Sequence, residues 1–144
     1  MIRVVLDTNV IVSALLQPLG PPAAVFLLVA GGVVQLCVSG NIYAEYEEVI
    51  RRPRLARDED IITATLQTDR EKGFWVKPTA TVRACLDPDD DIFLECADAA
   101  SADYVVTGNL RHFPESWGRT LVVTPRRFQD ILTSEPSPGQ GDPR

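Results

Sequence analysis

With 144 residues, 45% of them hydrophobic and 24% charged, the chain has the composition of one globular domain with a buried core. Its net charge of −6 argues against a protein that coats nucleic acid broadly, yet leaves room for an enzyme of nucleic acids, since clustered catalytic acids themselves lower the total. The cations are unusual in kind: twelve Arg against two Lys suit planar recognition of phosphate or carboxylate, although codon bias produces the same ratio.

Residues 2–6 (IRVVL) read as a short buried strand, and the apolar pattern resumes as a helix over residues 10–16 that QPLGPP breaks. Pro22 opens a second helix, which Gly31 and Gly32 end. VVQLCV, residues 33–38, reads as a second strand, after which Ser39 or Asn41 caps a helix reaching about Arg52, ahead of Pro53. Another helix spans residues 58–72, with Asp58 near its start. FWVKP is extended and ambiguous. TVRACL, residues 81–86, reads as the third strand, and the acids of DPDDD suit the start of a helix over residues 90–101. DYVVT (103–107) and TLVVTP (120–125) read as strands four and five, and Thr124-Pro125 begins a last helix through Leu132.

Continuously apolar strands alternating with helices predict an α/β fold: a doubly wound, Rossmann-like parallel β-sheet flanked by helices. Residues 1–133 form the expected single domain. Residues 134–144, with three Pro and two Gly, form a tail expected to be disordered. A strand beginning at Ile2 leaves no room for a signal peptide before it, and AAVFLLVA (23–30) is too short to span a bilayer. Cys37, Cys85 and Cys96 lie far apart without a CxxC, as reduced thiols do, so a cytoplasmic protein with no membrane contact is expected.

Right-handed crossovers bring the carboxyl ends of parallel strands to one edge, where open α/β sheets bind ligands. There the sequence places Asp7-Thr8-Asn9 after strand one and Glu45 on the helix after strand two. Asp87, Asp89, Asp90 and Asp91 follow strand three, and Thr107-Gly108-Asn109 follow strand four. Each has an ordinary reading. Asp7 is a good helix cap, Glu45 one of three exposed acids with Glu47 and Glu48, the 87–91 run a helix start, and Asn109 a turn residue. Four such coincidences on one edge point instead to a site. Crowded carboxylates repel unless a cation sits among them, and no Lys lies at these strand ends. Oxygen donors without clustered His or Cys select a hard divalent ion, Mg²⁺ or Mn²⁺. Metal-assisted attack of water on a phosphodiester is the natural chemistry of such a site.

Three stretches, VVLDTNVIVSALL, SGNIYAEYEEVIRRP and DPDDDIFLECADAASADYVVTGNLRHF, together resemble the PIN domain over about residues 2–132. The resemblance implies a metal-dependent ribonuclease fold used by VapC-like toxins of prokaryotic toxin–antitoxin modules. It also implies frequent homodimers and an antitoxin partner that blocks the active site. Carried over by position, it makes Asp7, Glu45 and Asp91 the metal-binding and catalytic acids, with Asp90 the nearest rival to Asp91 and Asn109 a further oxygen ligand. Thr8 and Asn9 look like the residues that orient Asp7 and the incoming phosphate, with Thr107 in support. Glu95, four residues after Asp91, would extend the acidic site. The family often has an Asp after strand four. Here Asn109 offers an oxygen without charge, and His112 stands where another acid is often found, either contacting phosphate or packing in a surface loop. Arg51, Arg52, Arg54 and Arg57 guide RNA, bind an acidic partner or form a solvated cluster, while Phe74 and Trp75 suit a core or an interface.

Competing chemistries lack their residues. An aspartyl phosphatase needs a second Asp where Asn9 stands. A receiver domain needs a Lys after strand five, a dinucleotide binder a Gly-rich first turn, and a zinc hydrolase its histidines. Two readings stay open. One is an Mg²⁺- or Mn²⁺-dependent endoribonuclease, the toxin of a toxin–antitoxin pair. The other is a degenerate PIN module that binds RNA or a protein without cutting.

Overall fold

The computed structural model describes residues 1–52 and 58–134. Six strands, β1 (Arg3–Leu6), β2 (Gln35–Val38), β3 (Phe74–Trp75), β4 (Tyr104–Val106), β5 (Ser116–Trp117) and β6 (Thr120–Val123), form one sheet in the order β3-β2-β1-β4-β6-β5. Six helices flank it: α1 (Thr8–Leu16), α2 (Pro21–Ala30), α3 (Gly40–Ile50), α4 (Glu59–Lys72), α5 (Asp91–Ala100) and α6 (Pro125–Ser134). The expected α/β architecture is the observed one, with every pairing parallel except that of β5 with β6.

Why β1 is central follows from its composition. Val4, Val5 and Leu6 are completely buried, so both faces of this strand need cover, and α5 packs over β1, β2 and β4. From β1 the chain winds to β2 and β3 on one side and then returns to β4 on the other. That reversal creates a switch point between the ends of β1 and β4, where ligands of such sheets settle. The core continues into Tyr46, Phe93, Leu94 and Phe128, all fully buried. The three cysteines are free thiols.

Two strand expectations need correction. Residues 81–86 are not a strand; the third strand is Phe74–Trp75, from the stretch whose sequence was ambiguous. The N–H groups of Val82, Ala84, Cys85 and Leu86 are satisfied without a neighbouring strand. Val82 donates its N–H to Glu95 Oε2 at 3.0 Å, Ala84 and Cys85 donate theirs to Asp91 Oδ1 at 3.1 and 2.8 Å, and Leu86 donates to the His112 carbonyl at 2.9 Å. Acids on α5 therefore replace a ladder. β5 was not anticipated, because it is only two residues long. Gly118, at φ +56°, lies in the two-residue turn that folds it onto β6.

Among the described residues no single helix is long and apolar enough to cross a membrane. Arg54, Arg57 and the tail after Ser134 lie outside the described residues.

Candidate active site

β1 ends at Leu6, and the next residue, Asp7, holds the N-cap position of α1 without a side-chain cap bond. Its carboxylate is used elsewhere: Thr107, one residue past β4, donates its hydroxyl to Asp7 Oδ2 at 2.7 Å. The Asp7 N–H bonds to the Val106 carbonyl at 2.9 Å, so backbone and side chain both stitch the ends of β1 and β4 together. Thr107 Oγ1 also accepts the Asn109 N–H at 3.0 Å, and Asn9 Oδ1 accepts the Gly108 N–H at 3.2 Å. The side chains of the small polar residues divide these bonds among them. Thr107 orients Asp7, Asn9 holds the turn after β4, and Thr8 donates its hydroxyl to Glu45 Oε2.

Glu45 reaches this edge from α3, which Ser39 caps by accepting the Ile42 N–H at 3.3 Å. Beyond it lies the single turn of 3-10 helix at Pro88–Asp90, capped by Asp87, whose Oδ1 accepts the Asp89 N–H at 2.9 Å. The result is an open cleft of about 360 Å³ lined by Thr8, Asn9, Val12, Glu45, Val49, Arg52, Asp87, Asp89 and Asp90. Asp7, next to the lining residue Thr8, is only 6% exposed, and its charge acts on both Glu45 and Asp90.

The adjacent acids at the start of α5 make different contacts. Asp91 Oδ1 is occupied by two backbone N–H groups. Burial alone would raise the Asp91 carboxyl, but the bonds from Cys85 and Ala84 outweigh it and hold the pKa below the usual carboxylate value. Asp90 instead lines the cleft, and His112 Nδ1 stands 3.6 Å from its Oδ2. Glu95 is not among the residues lining the cleft, and its Oε2 accepts the Val82 N–H. Asn109 joins the network through its backbone N–H, and its exposed side chain has no hydrogen bond among the described residues. His112, half-buried, is therefore at the cleft rather than in a remote loop.

Asp7, Glu45 and Asp90 are all raised above the usual carboxylate range. Burial raises Asp7, partly offset by the Thr107 hydroxyl and the nearby N–H groups of Asn9 and Thr8. Burial raises Glu45, Thr8 opposes it, and the charges of Asp7, Asp89 and Glu48 push it further up. Asp90 is pushed up to about 6 by burial and by Asp7, Asp87 and Glu45, against the pull of His112. Glu45 and Asp90 thus resist ionisation partly because Asp7 faces both, whereas Asp7 is raised by burial alone. Among the described residues no three His, Cys, Asp or Glu side chains stand ready-made as a metal cage. The donor chemistry nevertheless fits a hard divalent ion. All three acids offer oxygen, they repel one another, and an ion such as Mg²⁺ keeps several waters rather than demanding an all-protein cage.

Of the arginines, Arg52 lines the cleft while paired with Glu48 at 3.0 Å, and Arg51 is bound to Glu59 at 2.6 Å and reaches Glu47 at 4.0 Å. Phe74 and Trp75 are exposed at the β3 edge, where Trp75 stacks on Tyr43 at 5.5 Å between ring centres. Sequence reasoning passed over two residues. Tyr46 read only as part of an apolar stripe, yet its hydroxyl bonds to the Leu6 carbonyl. Asp89 read as one acid of a run, yet it faces Glu45 across the cleft. The signal for Tyr46 was a hydroxyl-bearing residue directly beside Glu45.

Comparison with known proteins agrees with this architecture. The chain is 29% identical over 111 residues to an uncharacterized protein of Methanocaldococcus jannaschii, an alignment covering 75% of this chain and 71% of that protein. Its fold is similar to a chain in the crystal structure of VapBC2 from Rickettsia felis bound to a DNA fragment from their promoter. The TM-score is 0.55 at 15% identity, over 85% of this chain and 97% of that one. A family model described as PIN domain matches residues 3–111, three-quarters of the sequence, including β1, β4 and every acid of the cleft. The chain belongs to the PIN domain family.

Proposed function

We propose that this protein is an Mg²⁺- or Mn²⁺-dependent endoribonuclease, the toxin of a cytoplasmic toxin–antitoxin pair. The observation that carries the reading is the convergence of Asp7, Glu45 and Asp90 on one cleft at the carboxyl edge of the sheet. In this reading the three carboxylates hold the metal, and Asp90 takes the role that position along the sequence gave to Asp91. A bound divalent ion supplies a lowered pKa for water and positive charge for the phosphate oxygens. Thr107 fixes the Asp7 carboxylate and Thr8 fixes Glu45, so both present the same oxygens as a phosphodiester arrives. Asn9 keeps the turn after β4 closed against α1, and His112, beside Asp90, contacts the scissile phosphate. Arg52 at the rim guides the RNA backbone, exchanging Glu48 for phosphate.

The partner reading is supported by the fold likeness to a chain of VapBC2, whose crystal structure also holds promoter DNA. We assign to this chain a protein antitoxin and a homodimeric state. The test of function is cleavage of mixed RNA by the purified chain. Cutting with Mn²⁺ or Mg²⁺ that stops with EDTA and with Asp7→Asn supports the nuclease. Intact RNA under either metal removes it.

A second reading has its own observation: residues 107–113 after β4 offer Asn109 and His112 but no acid, and the described residues form no ready-made cage. It makes the protein a PIN module that binds RNA or a protein without cutting. RNA retained on the protein but uncut in Mn²⁺ selects it.

A further inference from the structure

Tyr46 is fully buried on α3, directly after Glu45 in sequence, and its hydroxyl donates to the Leu6 carbonyl at 2.5 Å. Leu6 directly precedes Asp7. One hydrogen bond therefore joins the neighbour of one candidate acid to the neighbour of the other, between two elements that share no strand ladder at this point. The β1–β2 pairing runs over Arg3–Gln35 and Val4–Leu36, so Leu6 lies beyond its paired positions. β2 has ended at Val38 and the chain has turned into α3, which leaves Tyr46 to bridge the gap. The contact is also rigid. A fully buried ring has one rotamer available, and a buried hydroxyl bonded to a carbonyl resists displacement because breaking it leaves both groups unpaired.

We infer that Tyr46 is a positioning residue that sets the spacing between Asp7 and Glu45 through the Leu6 carbonyl. The inference rests on the reading of this cleft as a divalent-metal site. Thr8 already ties Glu45 back to α1, but that bond is part-buried among residues lining the cleft, where a ligand can rearrange it. The Tyr46 bond lies beneath the cleft, in the core, and no ligand reaches it. It fixes where α3 stands relative to β1, whereas the Thr8 bond fixes only how the Glu45 side chain turns. Removing the hydroxyl while keeping the ring should leave the core filled and let the two acids drift apart. Supporting contacts of this kind typically change metal affinity about 10- to 100-fold.

The test is Mn²⁺ binding by calorimetry to the wild-type chain, Tyr46→Phe and a control, Thr120→Val. Thr120 is equally buried and its hydroxyl also donates to a carbonyl, that of Ala102 at 2.7 Å, but it opens β6, two strands from β1, at the amino end of that strand. Both variants lose one buried hydroxyl bond, so a purely structural role lowers the melting temperature of both and changes affinity in neither. The expected result is Mn²⁺ bound about ten-fold more weakly by folded Tyr46→Phe, with wild-type affinity in Thr120→Val. Equal affinity in wild type and Tyr46→Phe overturns the inference while leaving the metal reading in place. Absence of Mn²⁺ binding by the wild type overturns both. If Tyr46→Phe does not fold, Tyr46→Met replaces much of the volume without a hydroxyl. Loss of folding in both assigns Tyr46 to stability and overturns the positioning role.

Discussion

Adjacent acids at the start of α5 have opposite work. Asp91 accepts two part-buried backbone N–H groups and holds residues 84–85 against the helix, whereas Asp90 faces the cleft among other acids. Asp91→Ala removes both acceptors and leaves those N–H groups unpaired, so it is expected to lower stability by roughly 2–4 kcal/mol in urea unfolding. A loss under about 0.5 kcal/mol contradicts that role. The two positions are not separable by sequence, since either carboxylate of a DDD run can face inward. Only the path of residues 82–86 decides it. Asp69 was illegible for a related reason. In α4 it reads as one charge on a polar helix, yet both its oxygens are buried with no hydrogen-bond partner among the described residues, and burial pushes its pKa up to about 8. An unfolded Asp ionises near 4 while the folded one stays protonated, so its contribution to stability is fully present below the unfolded pKa. It falls as pH rises towards 8 and changes no further above the folded pKa. The expected slope between pH 5 and 7 is a loss of roughly 1.4 kcal/mol per pH unit relative to Asp69→Asn. Parallel pH dependence of urea stability in the two proteins contradicts it.

At the scale of elements, the long apolar strands β1, β2, β4 and β6 and all six helices were legible, because burial on both faces and helical caps leave strong patterns. The short edge strands were not. β3 and β5 are two residues each, and β3 exists because the backbone around Gly73 approaches β2 closely. A Cβ on Gly73 would lie 2.6 Å from the Asp69 carbonyl oxygen and 2.9 Å from Val38 Cγ2, inside contact distance. Gly73→Ala must therefore shift the end of α4 off β2, at a cost of about 1–3 kcal/mol. Hydrogen exchange checks the location: the Val76 N–H, bonded to the Val38 carbonyl at 2.9 Å, should lose protection first. Unchanged protection at Val76 contradicts the close approach. The expectation of a strand over residues 81–86 failed because local propensity carries no information about a neighbour. The neighbour there is a pair of carboxylates on α5.

For the whole molecule, the doubly wound order decides where chemistry can happen. The switch between β1 and β4 places Asp7 and Thr107 in contact, though they are a hundred residues apart in sequence. α3 and the turn before α5 then add Glu45 and Asp90 from opposite sides of the cleft. The net charge of −6 is consistent with this concentration of acids, which folds at the expense of their mutual repulsion. On the function we propose, Asp7, Glu45 and Asp90, rather than Asp91, form the metal-dependent centre. The most direct measurement is the initial rate of RNA cleavage in Mn²⁺ by Asp90→Asn and Asp91→Asn beside the wild type. Asn at position 91 keeps an oxygen for the Ala84 and Cys85 N–H groups, so the fold survives and cutting should stay within a few-fold of wild type. Asn at position 90 removes the charge facing the cleft, and cutting should fall at least about 100-fold. The reverse ranking, with Asp91→Asn inactive and Asp90→Asn near wild type, would contradict the account.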